Sequence, residues 1–273
     1  MMQLRRFLGR SRMAVNYVLG RQPMHRGATA FDDDVWLVSY PKSGNTWTRF
    51  LIANLIAGDR TVDWSNIEQV VPDLYISRDP LLRRLPRPRF IKSHEPYRPE
   101  YRRVLLIVRD PRDVAVSYFH FARKSHKVAA SASIEEFLPQ FLAGRVDPYG
   151  SWGENVGSWL GARRGTPEFH VVRYEDLLAD TAAGLTTIVR DFGIAADAEQ
   201  IRRAVENSAA DKLRQLEAAQ SQRHKFLKRT RADIPFVRKA TSGGWQTELP
   251  PHAARRIEEA WGPLMRELGY TTA

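Results

Sequence analysis

VWLVSYPKSGNTWTRFLIANLI, residues 35–56, is the stretch on which the reading of the whole chain turns. Its first six residues, Val35 to Tyr40, are mostly β-branched or aromatic without clean polar alternation, as expected of a strand buried on both faces of a parallel sheet. From Thr46 onward Trp47, Phe50, Leu51, Leu55 and Ile56 recur at helical spacing, with Thr46 or Asn45 placed to cap the first turn. Between strand and helix lies a Pro-Lys-Ser-Gly turn. Free N–H groups at the helix start, Gly44 for close approach and Lys42 as a point charge together make an anion cradle suited to phosphate. The order departs from the GxxxxGK[ST] loop of nucleotide triphosphatases, because here the lysine precedes the glycine.

The chain has 273 residues, enough for a substantial core in one α/β domain. Forty-two Lys and Arg against 31 Asp and Glu give a formal charge of +11, which attracts an anionic partner such as a nucleotide, nucleic acid, acidic glycan or membrane. The absence of cysteine excludes disulfides, thiolate metal sites and a cysteine nucleophile, and fits a cytoplasmic setting. Seven scattered histidines offer no metal-ligand spacing. No apolar run approaches the roughly 20 residues of a membrane span. Residues 1–30 read as a basic arm or helix, packed on the domain or in peripheral contact with a membrane, and residues 31–273 as a single domain.

Along the chain, strands are expected at Val35–Tyr40, Arg89–Pro96, Arg103–Arg109 and Phe169–Tyr174, alternating with helices. Asp110-Pro111 marks the start of a helix over Arg112–Lys124. Further helices fall near residues 133–143, 151–164, 197–206 and 208–218. Another runs from Glu175 to Phe192, and a last one from Pro250 to Leu268. The polar, basic stretch Gln220–Gly244 is of a length that marks a functional or a mobile loop. This succession predicts a three-layer α/β/α fold with a mainly parallel central sheet, whose ligands sit beyond the carboxyl ends of the strands. Tyr40–Thr46, Lys92–His94, Arg109 and Tyr174 all fall there.

The YPKSGNTW turn resembles the 5'-phosphosulfate loop of the cytosolic-type sulfotransferases, which use 3'-phosphoadenosine 5'-phosphosulfate (PAPS). The likeness extends through RFIKSHEP, VLLIVRDPRDVAVSYFHF, VVRYEDL and FVRKATSGGWQTEL, ordered matches from residue 35 to about 250. It implies the P-loop-like sulfotransferase architecture and transfer of the sulfuryl group from PAPS to a hydroxyl or amine, releasing 3',5'-ADP (PAP) without a metal. It makes His94 the general base; the chemistry of sulfuryl transfer makes Lys42 the stabiliser of the leaving phosphate, and Lys92, two residues before His94 on the same face of an extended chain, is placed to hold the sulfuryl oxygens. Ser43, Gly44, Asn45, Thr46 and Trp47 belong to the 5' end and adenine. Arg109 and Ser117 grip the 3'-phosphate, aided by Arg238, Lys239 and Ala240, and Tyr174 and Ser208 are further nucleotide contacts. Arg112 and Asp113 read as helix-start charges, and Tyr118 and Phe119 as core. Structural readings stand beside these: an isolated histidine is usually structural, and Trp47 also suits core filling.

The sequence departs from the family pattern at Ala240, where the late loop has glycine, at Gln246, where it has lysine, and at Ala209, where an adenine-contacting phenylalanine is usual. The usual dimer motif is not recognisable. A P-loop small-molecule kinase and a basic nucleic-acid-binding module are the alternatives; no recognised nucleic-acid reader motif occurs. The acceptor, whether phenol, sterol-like or lipid hydroxyl, or acidic sugar, is unspecified. Residues 59–89 and 219–236 are expected to wall its pocket.

Overall fold

The computed structural model describes residues 28–58, 60–222 and 227–272. Most of the expected amino-terminal arm, with its membrane contact, therefore lies outside the described residues, as do Asp59 and residues 223–226.

The chain folds as β1 (Val35–Ser39), α1 (Asn45–Ile56), α2 (Asp79–Leu82), β2 (Phe90–Ser93), β3 (Arg103–Val108) and α3 (Pro111–Lys124). It continues as α4 (Ile134–Leu142), α5 (Trp152–Arg163), β4 (Phe169–Arg173), α6 (Tyr174–Ala179), α7 (Thr181–Phe192) and α8 (Ala198–Asn207). The last helices are α9 (Ala210–Gln220), α10 (Trp245–Glu248) and α11 (Pro251–Glu267). The four strands form one parallel sheet in the order β2-β1-β3-β4. Helices lie in the β1–β2 and β3–β4 connections and after β4, whereas β2 reaches β3 through a short loop, and the helices pack on both faces of the sheet.

The absence of polar alternation in β1 has the expected consequence. Trp36 and Val38 point into one core, shared with Tyr118 of α3, Phe141 of α4, Trp159 of α5 and Ile257 of α11. Val35 and Leu37 point into the other, with Phe50 of α1, Ile188 of α7 and Ile201 of α8. At the amino edge of the sheet Asp34 and Arg89 form an ion pair 2.5 Å long with both side chains fully buried. Breaking one side of such a pair strands a charge and costs about 3–5 kcal/mol.

Two local expectations are corrected. The helix expected from Glu175 to Phe192 is two helices, because Asp180 leaves helical geometry (φ −139, ψ 87) and its carboxylate accepts from Ala183 N, capping α7. Neither Thr46 nor Asn45 caps α1: Gly44 occupies the cap position with φ +93, and Asn45 is already helical. Elsewhere the start signals hold, with Asp110 accepting from Arg112 N at 2.9 Å ahead of Pro111. Among the described residues no helix is long and apolar enough to cross a membrane.

Candidate active site

The residue just past each strand's carboxyl end, or the turn that follows it, faces one cavity of about 400 Å³. After β1 comes the lysine turn. Lys42 (φ +70) and Gly44 (φ +93) both have left-handed backbone, and the first residues of α1, Asn45, Thr46 and Trp47, line the cavity beside them. Glycine is required at 44, since a Cβ there lies 2.4 Å from Cδ2 of Tyr174. Asn45 works backwards. Its Nδ2 donates to Leu37 O at 2.9 Å and to Ser39 Oγ at 3.1 Å, tying the helix to its strand. Ser43 is fully buried and its hydroxyl has no protein partner.

Lys42 carries the turn's charge into the cavity. Its Nζ lies 4.4 Å from the centroids of both Phe121 and Phe236, a cation held between two rings. Burial, with the neighbouring charges of Arg109 and Lys92, lowers its pKa to about 7.

Arg109, just past β3, lies over the Tyr174 ring at 4.4 Å and donates to Lys42 O at 3.4 Å and Thr241 O at 2.9 Å. It thereby joins the lysine turn to the late loop, while its buried Nε has no protein partner. Ser117 faces the same cavity from α3. Trp47 stands edge-on to Tyr174, ring centroids 5.7 Å apart, and its Nε1 donates to Ser208 O at 3.1 Å.

The late loop is held by three carboxylates. Glu217 of α9 accepts from Phe236 N (2.7 Å) and Val237 N (3.0 Å). Asp113 accepts from Gly243 N (2.7 Å) and Trp245 N (2.9 Å), and Glu248 binds Arg238 (2.8 Å), Lys239 (2.7 Å) and His120 (2.9 Å). Asp113 is thus a loop anchor as well as a helix-start charge. Arg112, paired with Asp110 and Glu258, lies over Trp245 at 3.9 Å. Ala240 has φ +53, so the family's glycine is replaced at a position that demands left-handed backbone.

On the other side of the lysine turn, β2 delivers Lys92 and His94. An isolated parallel bridge pairs Asp73 with Lys92, and the two side chains meet at 2.5 Å, both nearly buried. His94 Nδ1 lies 2.7 Å from Ser39 O, and its backbone N donates to Tyr75 OH at 2.8 Å. A carbonyl only accepts, so Nδ1 carries the proton and Nε2 the lone pair. Burial and the charge of Lys92 lower the imidazole pKa to about 3, keeping the ring neutral. Tyr75 lies parallel to the imidazole at 6.0 Å, and Tyr149 is 5.6 Å from it.

Of the residues expected at the site, Lys42, Gly44, Asn45, Thr46, Trp47, Lys92, His94, Arg109, Ser117, Tyr174, Arg238, Lys239 and Ala240 line this one cavity. Ser43 and Ser208 do not. Ser43 lies beneath the turn, and Ser208, fully buried, accepts from Asn54 Nδ2 through its hydroxyl and supports Trp47 through its carbonyl. Of the expected pocket wall, Trp64, Asp73, Tyr75, Ile76 and Phe236 face the cavity, as does Val237 just beyond it, whereas Val62, Ile67 and Val71 belong to the core. Asp73, Tyr149, Asp147 and Phe121 were not singled out from the sequence.

A lysine turn ahead of a helix at the carboxyl edge of a parallel sheet, flanked by Arg109 and a clamped cationic loop, defines a P-loop-like α/β protein with an anionic-nucleotide cavity. The sulfotransferase domain model matches residues 32–269, and the chain belongs to the sulfotransferase family. It is similar to the amine sulfotransferase of Oryctolagus cuniculus, 25% identical over 251 residues covering 86% of this chain and 82% of that one. Sulfotransferase 1B1 of Mus musculus is 28% identical over 230 residues, 78% of this chain and 76% of its own. Among solved structures, mouse sulfotransferase SULT7A1 complexed with PAP superposes with a TM-score of 0.71 at 25% identity, covering 89% of this chain and 87% of that chain. Retinol dehydratase in a complex with retinol and PAP shares the fold at a TM-score of 0.71, with 22% identity and 89% and 84% coverage. The chain is accordingly a PAPS-dependent sulfotransferase, and the family match selects sulfuryl transfer over the kinase and nucleic-acid alternatives.

The cavity fits that co-substrate. Cationic Lys42, Arg109, Arg238 and Lys239 face it, and the buried Arg109 Nε lacks a protein partner. At Gly44 there is no side chain to obstruct a phosphate.

Proposed function

We propose that the protein moves the sulfuryl group of PAPS to a hydroxyl or amine of a small-molecule acceptor, with His94 as general base and Lys42 as the cation on the leaving phosphate. The observation that carries this reading is the 2.7 Å contact of His94 Nδ1 with Ser39 O, which leaves Nε2 as a neutral acceptor of protons inside the cavity. Bound PAPS supplies a sulfur–oxygen bond that breaks at the 5'-phosphate as the acceptor's bond to sulfur forms. The acceptor proton passes to Nε2. Lys42, on the same cavity wall as the α1 amides, stabilises charge that grows on the departing oxygen, and Lys92 serves the sulfuryl oxygens. Arg109 and Ser117 hold the 3'-phosphate under Arg238, Lys239 and the backbone at Ala240, while Trp47 provides a flat face for adenine.

Transfer of label from sulfur-labelled PAPS to a panel of hydroxyl and amine acceptors tests the assignment. His94→Ala and Lys42→Met should each reduce turnover by about a hundredfold or more, the usual scale for a catalytic proton acceptor or charge stabiliser. Undiminished turnover in either variant refutes its role.

A further inference from the structure

The cavity's charge is divided unevenly between its two ends. At the nucleotide end Arg109 pairs with Asp113, Arg238 and Lys239 share Glu248, and the ammonium of Lys42 rests between the Phe121 and Phe236 rings. Around His94 the cations facing the cavity, apart from Lys42, whose proposed place is at the leaving phosphate, each have their own carboxylate among the described residues. Arg49 pairs with Glu68 at 2.6 Å, Lys92 with Asp73 at 2.5 Å, and Lys127 with Asp147. Between these pairs stand rings. Tyr75 and Tyr149 flank the imidazole, their own centroids 5.4 Å apart, and Phe236 meets Trp64 edge-on at 5.7 Å.

We propose that Asp73, by neutralising Lys92 beside His94, is a specificity-determining residue that makes the acceptor end select uncharged aromatic hydroxyl compounds over charged ones. The proposal rests on His94 marking the acceptor end. Asp73 is held for this task from two directions. Its backbone bridges to Lys92 alongside β2, and its N–H donates to Glu68 Oε2 at 2.8 Å, so the carboxylate is fixed rather than free to swing away. With Lys92 balanced, an anionic acceptor finds no net attraction and loses its hydration; a cationic one meets carboxylates already occupied. An uncharged ring loses little on entering and stacks among tyrosines.

Binding to the protein saturated with PAP tests this without relying on turnover. The ligands are three phenols of nearly equal size: 4-propylphenol (neutral), 4-hydroxyphenylacetate (anionic) and tyramine (cationic). The neutral phenol should bind at least about tenfold more tightly than either charged one, the worth of about one unbalanced charge near a protein surface. Asp73→Asn should shift the anionic-to-neutral ratio upward by about tenfold, and Lys92→Met should shift the cationic-to-neutral ratio upward by as much. A purely structural role moves neither ratio in opposite senses. PAP titration to one equivalent shows each variant to be folded, and the double variant Asp73→Asn/Lys92→Met, which leaves neither charge of the pair stranded, should return both ratios to near the wild-type values, an outcome that also decides the matter should Asp73→Asn alone fail to fold. Binding of a charged phenol as tight as the neutral one, binding of none of the three, or unmoved ratios in the single variants overturns the proposal. The catalytic assignment of His94 fails separately, through unchanged turnover in its variant, and leaves these binding ratios untouched.

Discussion

Binding of PAP should draw a proton from solvent onto Lys42. Buried beneath two rings and beside Arg109 and Lys92, this lysine has its pKa lowered to about 7. At pH 8 the empty site therefore holds it only about one-tenth protonated. An adjacent phosphate restores the cationic form by direct charge attraction, so binding takes up about 0.9 proton per molecule. By linkage the apparent affinity for PAP then weakens about eightfold for each unit of pH rise near pH 8. Ligand phosphates, whose second pKa is about 6, are fully ionised on both sides of the equilibrium there and contribute nothing. Calorimetric titrations in two buffers of different ionisation enthalpy measure the uptake. Lys42→Met, which keeps the stem that packs between Phe121 and Phe236, should abolish it. Wild-type uptake below about 0.3 proton at pH 8, or equal uptake in the variant, would refute the account of how Lys42 is held.

Two substitutions test the backbone of the phosphate cradle. Gly44→Ala places a methyl group 2.4 Å from the Tyr174 ring at φ +93, and PAP affinity measured by calorimetry should fall at least about tenfold. Ala240→Gly removes left-handed strain worth about 1–2 kcal/mol from the late loop, so PAP should bind as tightly or up to about tenfold tighter; a clear loss of affinity would show that the methyl group itself is needed.

Much of the site was legible because parallel sheets place ligands beyond strand ends. Lys42, His94, Arg109 and Tyr174 are separated by up to 132 positions in the chain, yet each follows a run whose composition marks a buried strand. The groups that escaped notice act through partners with no fixed spacing. Asp73 reads locally as a turn residue between Pro72 and Leu74; only the extra bridge to Lys92 gives it a place in the cavity. Asp113 looks like an ordinary first-turn acid, and its capture of Gly243 N and Trp245 N depends on how the late loop returns. Glu217 and Glu248 sit in polar helices and gain their meaning the same way. The break at Asp180 was visible in principle, since an aspartate before Thr181 is a helix-start signal, but apolar spacing through Leu177, Leu178 and Leu185 masked it.

The central claim is that one cavity holds a doubly phosphorylated adenosine between the lysine turn and Arg109, with the Nε2 of His94 facing the acceptor. A crystal structure of the protein with PAP bound measures this directly. The 5'-phosphate should lie within hydrogen-bond reach of Lys42 Nζ and the first amides of α1, and the 3'-phosphate on Arg109 and Ser117. A nucleotide seated elsewhere, or one whose 5'-phosphate is turned away from Lys42 and His94, would contradict the account.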